Sequence, residues 1–420
     1  MRILYVAMAD SIHVARFISQ VNNLGWDLHL LNSSVAVDLC HPMLQKVTLH
    51  GCWHWKRPAA HPSVPVKGFW PFARGSRAAN FFARRYLSPS DIRSRKVARL
   101  IDRLRPDIIH SHEIQHSSYL VIDALKYLKR DLPPWIVTNW GNDIYFFGQL
   151  AAHASKIRAV LENCDYYSCE TERDRNLAAP FGFRGEFLLP VLPNPGGFRF
   201  EDINPLWQPG PTSQRRLVLV KGYQGLFGRA ITALYALELC QELLRNYRIV
   251  LYSARPAEVP IAAEILANRT GLHIEIMPHT NDYHEILRLR GQARVSIGLS
   301  VSDAASISFL ESLALGSFPI QSNTGGAHEW IRDGEGGFLV HPDDPHLLAA
   351  ALRRALTEDD LVDRAAENNY RLARERLDFY RIRSHVIRWY EQIMQRKNTQ
   401  SAHARPMVKS EGDRFRVDAA

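Results

Sequence analysis

The chain has 420 residues, nearly half apolar and about a quarter charged, which is enough for two cores and excludes a disordered or fibrous protein. No apolar stretch is long enough to span a bilayer, and the five scattered cysteines (Cys40, Cys52, Cys164, Cys169, Cys240) form neither a disulfide framework nor a zinc spacing, as expected of thiols in a reducing compartment. A net charge of +9 suits anionic partners.

The N-terminus reads Met-Arg-Ile-Leu-Tyr-Val-Ala, with Asp10 close behind. This apolar run is too short for a signal peptide, so the sequence predicts a buried strand over Arg2–Ala7 and a cytoplasmic protein. A helix over Val14–Leu24 and a strand over Trp26–Leu31 follow. Between Arg74 and Arg105 lie Arg77, Arg84, Arg85, Arg93, Arg95, Lys96, Arg99 and Arg103, interleaved with Phe72, Phe81, Phe82 and Tyr86. This stretch is either a solvated surface or a patch for anionic lipid headgroups at a membrane face; no motif supports nucleic acid. A helix over Val97–Leu104, a strand over Asp107–His110, a helix over Leu120–Leu128 and a strand over Trp135–Thr138 complete an alternation that predicts a doubly wound parallel sheet. Ligands of such sheets bind beyond the carboxyl ends of the strands. The segments Ala7–His13, His110–His116 and Asn139–Tyr145 fall there.

Residues 189–216 are rich in Pro and Gly and read as a linker. The alternation then restarts: strands over Arg216–Lys221, Tyr247–Tyr252, Ile274–Met277, Val295–Leu299 and Phe318–Ser322, with helices over Arg229–Leu244 and Pro260–Arg269. The predicted organisation is two Rossmann-like domains, 1–195 and 196–376, facing across a cleft. An amphipathic helix over 377–396 is expected to return to the first domain, and 397–420 reads as a disordered tail.

In LVLVKGYQGLFGRAITAL, Gly222, Gly225 and Gly228 follow a strand and open a helix. Such a turn lets backbone amides approach a phosphate, or is simply a tight turn. Lys221 and Arg229 flank it, and two cations suit a diphosphate. In SDAASISFLESLALG, Ser306 is placed to cap a helix ended by Gly316, whose N-terminal amides form a second anion site. Asp303 and Glu311 are placed on one wall of the cleft, where a carboxylate can accept two vicinal ribose hydroxyls. The structural alternative is a capped helix with a stray acid.

Asp303-x7-Glu311, followed by LALGSFPIQSNTGGAHEWIRDGEGGFLV, resembles the signature of family 4 of the retaining GT-B glycosyltransferases. Gly325-Gly326-Ala327-His328-Glu329 and Asp333-Gly334-Glu335-Gly336-Gly337 match its pattern. Gly316-Ser317-Phe318-Pro319 is one residue longer than the usual Gly-x-Pro. The resemblance covers most of residues 1–395 and is strongest over 295–345. It implies Glu311 on the nucleotide ribose, Asp303 on the donor sugar, and Lys221 with Arg229 on the diphosphate, in reversed order and at longer spacing than usual. It needs no metal or other cofactor. The donor would be a UDP- or GDP-sugar, and the loop containing His279 would contact the base.

In the first domain the family's glycine pair is replaced by Asp10 and Ser11, which with His13 are candidates for acceptor or phosphate contacts. In HSHEIQH, Glu113 and His116 are candidates for an acceptor hydroxyl, with loop packing as the alternative. In TNWGNDIYFFG, Trp140 stands where relatives carry His, and Asp143 is a candidate for the acceptor or reacting sugar, or a helix cap. The reading is a glycosyltransferase acting on a glycan or lipid-linked acceptor in polysaccharide synthesis. A nucleotide-sugar epimerase and a non-catalytic nucleotide-sugar binder are the alternatives.

Overall fold

The structure, a computed structural model, describes residues 1–34, 40–51, 60–67, 89–278 and 282–403. His279, most of the basic aromatic stretch and the tail from 404 onward lie outside the described residues.

Two parallel sheets organise the chain. The first runs β1 (Arg2–Ala7), β2 (Asp27–Asn32), β3 (Thr48–His50), β4 (Val66–Lys67), β5 (Ile108–His112), β6 (Trp135–Thr138), β7 (Tyr166–Ser168) and β8 (Glu186–Phe187). Its order is β4-β3-β2-β1-β5-β6-β7-β8. The second contains β9 (Leu217–Lys221), β10 (Arg248–Tyr252), β11 (Ile274–Ile276), β12 (Val295–Gly298), β13 (Phe318–Ser322) and β14 (Phe338–Val340), in the order β11-β10-β9-β12-β13-β14. The near-continuous apolar runs of β1 and β9 suit strands covered on both faces. Ile3 pairs with Leu28 on one side and Ile108 on the other, while Val218 pairs with Ile249 and Val295. Strand order reverses at β1/β5 and at β9/β12, and the loops after β1, β9 and β12 meet between the domains.

Helices α1 (Ile12–Ser19), α2 (Pro89–Leu104), α3 (Tyr119–Ala124), α4 (Ala151–Asn163) and α5 (Glu172–Ala178) accompany the first sheet. Around the second lie α6 (Ala230–Leu239), α7 (Glu258–Thr270), α8 (Tyr283–Gln292), α9 (Ile307–Leu315), α10 (Pro345–Thr357) and α11 (Asp359–Arg376). Helix α12 (Phe379–His403) then crosses back, burying Ile382, Val386, Trp389, Tyr390 and Ile393 against Ile3, Tyr5 and Leu30. Tyr390 Oη bonds Tyr5 Oη at 3.0 Å and His110 Nδ1 at 2.6 Å, which ties the two chain ends together.

Several elements differ from the expectations. Helix α1 stops at Ser19, because 20–24 continue as turns before the left-handed Gly25. The Arg229–Leu244 helix breaks at Cys240 into α6 and a further turn. Residues 397–403 are helical, since α12 continues past 396. The 189–216 segment is more than a spacer: Phe198, Phe200 and Ile203 are buried with Phe309, Leu310 and Leu313. The N–H of Phe198 donates to Leu377 O at 2.6 Å and that of Phe379 to Phe198 O at 3.0 Å, so the two crossings between domains are hydrogen-bonded to each other.

Candidate functional site

A cavity of about 650 Å³ lies between the domains, bounded by Ile12, His13 and Glu170 on one side and by Lys221, Asp303, Ser306 and Glu311 on the other. Local rules position these groups. Lys221 is the last residue of β9 and so stands at the carboxyl end of the central strand. Ser306 caps α9, accepting the N–H of Phe309 at 3.3 Å, and Gly316 ends that helix in the left-handed conformation. Ala305 to Ser308 line the cavity, so the helix N-terminus faces it with its partial positive charge. Asp303 also lines it and accepts the N–H of Ala304 at 2.9 Å.

Glu311 is only 2 % exposed, and its oxygens are held on two sides. Tyr283 Oη donates to Oε1 at 2.6 Å and Arg290 Nε to Oε2 at 3.1 Å. Arg290 donates onward to Tyr252 Oη at 2.8 Å and Ser312 Oγ at 3.2 Å. A buried carboxylate needs such partners. Each oxygen accepts one hydrogen bond here and has capacity for a second.

The glycine turn after Lys221 is placed as expected, but Tyr223 and Gln224, between its glycines Gly222 and Gly225, line the cavity. Gly228 has a local reason: a Cβ there would lie 2.1 Å from Tyr223 O. Arg229 is not among the cavity-lining residues. Its guanidinium pairs with Asp343 at 2.5 Å and donates to Gly225 O and Gly228 O, so it braces the turn rather than lining the cavity. Arg255, which follows β10, is a cavity-lining cation that the sequence reading missed.

On the first domain His13 reaches the cavity, its ring tilted by 52° against that of Trp140 with centroids 5.2 Å apart. Burial, with the nearby charges of Arg16 and Lys221, pulls its pKa down to about 4, so the imidazole is neutral at pH 7. Asp10 and Ser11 belong to the preceding turn and are not among the cavity-lining groups; Asp10 Oδ1 is buried without a hydrogen-bond partner among the described residues. Asp143 is likewise not among the cavity-lining residues. It is 2 % exposed, and its Oδ2 accepts the N–H groups of Ile114 and Trp140 at 2.9 and 2.8 Å. Burial and the charge of Glu113 push its pKa well up. It ties two loops together. Glu113 and His116 are also not among the cavity-lining residues. Glu113 accepts the N–H of His116 at 2.5 Å and the ring Nδ1–H at 2.9 Å, closing a loop. Strand-end loops carry unpaired amides, and these acids satisfy them.

The two domains are joined by backbone contacts beside the cavity. Glu329 of the Gly-Gly-x-x-Glu turn accepts the N–H groups of Glu172 and Arg173 at 2.8 and 2.9 Å, capping α5 of the other domain. At Gly141 a Cβ would lie 2.0 Å from Ala304 N. Among the described residues no group of three or more His, Cys, Asp or Glu side chains is arranged to hold a metal ion, and no helix is long and apolar enough to cross a membrane.

The chain resembles known proteins in sequence and in fold. Residues 216–372 match the family described as "Glycosyl transferases group 1", and 70–170 match "Glycosyl transferase 4-like". No curated protein matches the chain significantly by sequence. Among solved structures, sucrose-phosphate synthase from Thermosynechococcus elongatus is similar at a TM-score of 0.68 and 14% identity, covering 94% of this chain and 100% of that one. HepE of Anabaena in complex with UDP-glucose gives 0.64 and 13%, over 93% and 100%. A glycosyltransferase from Rickettsia africae gives 0.60 and 15%, over 93% and 98%. The fold is GT-B.

Proposed function

We propose that this chain, with a glycosyl transferases group 1 domain over 216–372 and a 4-like domain over 70–170, is a retaining glycosyltransferase. It moves a hexosyl or related sugar from a UDP- or GDP-sugar to a hydroxyl of a lipid-linked or surface glycan. The observation that carries this reading is the convergence of Lys221, the α9 N-terminus, Asp303 and Glu311 on one cavity at the β9/β12 switch point. That set matches a diphosphate, a sugar and a ribose in sequence. The complex of HepE with UDP-glucose supports a UDP-sugar donor.

On this reading Glu311, oriented by Tyr283 and Arg290, receives the ribose hydroxyls. Lys221, Arg255 and the amides around Ser306 stabilise the charge that grows on the leaving diphosphate, and such preorganised electrostatics is usually the largest catalytic contribution. The bond from the sugar's anomeric carbon to the diphosphate oxygen breaks. A bond from the acceptor oxygen forms on the same face, and the acceptor's proton passes to the leaving phosphate. Neutral His13 faces the reaction without adding charge. No step is assigned to a metal. The basic stretch 74–105 would hold the enzyme at an anionic membrane face.

The test is transfer from a panel of nucleotide sugars to lipid-linked glycan acceptors, with the anomeric configuration of the product read by NMR. A product with the donor's configuration supports the reading; an inverted product contradicts it. Conversion of the donor sugar into its epimer without an acceptor would favour an epimerase instead.

A further inference from the structure

One acid faces the cavity from the first domain. Glu170 follows β7 and stands in the same wall as His13, across from Asp303. Its place is fixed from both sides. Oε1 accepts the N–H of Asn194 at 2.8 Å. The next residue, Thr171, caps α5 by accepting the N–H of Asp174, and Glu329 of the other domain holds the N–H groups of Glu172 and Arg173. The position of Glu170 is therefore set by the same contacts that dock the two domains.

The charges around Glu170 are mostly of its own sign. The charges of Asp303, in the second domain, and of Asp174, in α5, both act on it. The opposing charge of Arg173 acts on it as well, but that guanidinium is committed to Asp174 at 2.8 Å, Gly141 O at 3.0 Å and Thr324 O at 3.4 Å. Lys221 lies in the opposite wall, and His13 beside it is neutral. Among the described residues no ion pair joins Glu170 to a cation. Two carboxyl groups sharing an enclosed cavity favour one proton between them. Burial first, and then the charge of Asp303, push the Glu170 carboxyl up to about 8, against the Asn194 N–H, so it is neutral at pH 7.

We propose that Glu170 is a sugar-binding residue of this cleft: a neutral carboxyl that keeps Oε1 on the Asn194 amide and donates its Oε2–H to a hydroxyl of the sugar held against Asp303. This rests on the reading of the cavity as a nucleotide-sugar site. A neutral carboxyl contributes a donor without adding a second negative charge beside the departing diphosphate. Above its pKa the donor is lost and a charge is added, so turnover falls as pH rises through about 8.

The glutamine variant separates this role from others. Glu170→Gln keeps an acceptor for the Asn194 amide and supplies an N–H donor in place of the O–H. The experiment measures release of UDP or GDP from UDP-glucose and GDP-mannose, with water as acceptor, between pH 6 and 9.5. It compares the wild type, Glu170→Gln and Glu170→Ala, with nucleotide Kd measured by calorimetry. The wild type should lose about tenfold per pH unit above its pKa. Glu170→Gln should stay within about twofold of wild type at pH 7 and lack the alkaline limb. Glu170→Ala should be about tenfold slower at pH 7, the loss of roughly one hydrogen bond. Nucleotide Kd should be unchanged in both.

If Glu170→Gln is as slow as Glu170→Ala, the group acts as a carboxylate and the proposal is overturned. If all three profiles coincide, Glu170 does not touch the sugar. Nucleotide binding that is present in the wild type and lost in Glu311→Ala supports the underlying site whichever way Glu170 behaves. A wild type that binds neither nucleotide overturns both.

Discussion

Arg16 Nη1 donates to the hydroxyl of Tyr283 at 3.0 Å, joining the first domain to the residue that holds Glu311. The same guanidinium donates to Gly197 O at 2.8 Å, beside the paired crossings between the domains. Glu311, the cavity it lines and the paired crossings between the domains are thus one hydrogen-bonded chain. A ligand that reorients Glu311 acts directly on the contact between the domains.

Tyr283→Phe removes the 2.6 Å bond to Glu311 while keeping the ring. A hydrogen bond to a charged group contributes about 1.5 kcal/mol or more. The expected result is nucleotide diphosphate binding weakened roughly tenfold in calorimetry. An unchanged Kd would show that Arg290 alone orients the carboxylate.

Arg16→Met keeps much of the apolar stem and loses both donors. The expected result is a stability loss of about 1–3 kcal/mol, together with faster proteolysis around 193–198, because two hydrogen bonds at the hinge are gone. Denaturant titration and limited proteolysis measure the two effects. Wild-type behaviour in both would separate Arg16 from the hinge.

Gly141→Ala places a methyl group 2.0 Å from the backbone of Ala304. Backbone on both sides leaves nothing flexible to yield, so the domains must separate there. The variant should keep its secondary structure by circular dichroism, show a larger radius of gyration in solution scattering, and lose turnover by at least about a hundredfold. Normal turnover would contradict the observed approach of the two loops.

Acid should destabilise the protein steeply. Burial lowers His13 to about 4 and His50 and His112 to about 3, and His110 lies well below its ordinary value. Each is neutral when folded and takes up a proton on unfolding below its unfolded pKa of about 6.5. Their contribution is therefore fully present above pH 6.5 and is lost as pH falls toward these values, by up to about 1.4 kcal/mol per pH unit for each group. Urea titrations at pH 7.5 and 5.0 measure the slope. Equal stabilities at the two pH values would mean that these rings are not held neutral.

What could be read from the sequence was what neighbours along the chain decide. The strands β1, β6 and β13, the Ser306 cap and the Gly316 terminus depend on local pattern and matched. What could not be read depends on residues far apart. Arg229 flanks a glycine turn in the sequence, but its pairing with Asp343, 114 positions away, has no local signal. Asp143 and Glu113 looked available because acids in strand-end loops often meet ligands; here their partners are backbone amides in the folded loops. Glu170 carried no spacing signal, since its relation to Asp303 exists only when the two domains face each other.

The most direct test of the account is a thermal-shift panel of UDP, GDP, ADP and CMP on the wild type and Glu311→Ala. A ligand that binds only the folded state adds about 2.7 kcal/mol at a hundredfold excess over Kd. The account predicts that UDP or GDP stabilises the wild type and that Glu311→Ala loses most of this effect. Equal stabilisation of both proteins by the same nucleotide would contradict the placement of the ribose on Glu311, and with it the proposed donor site.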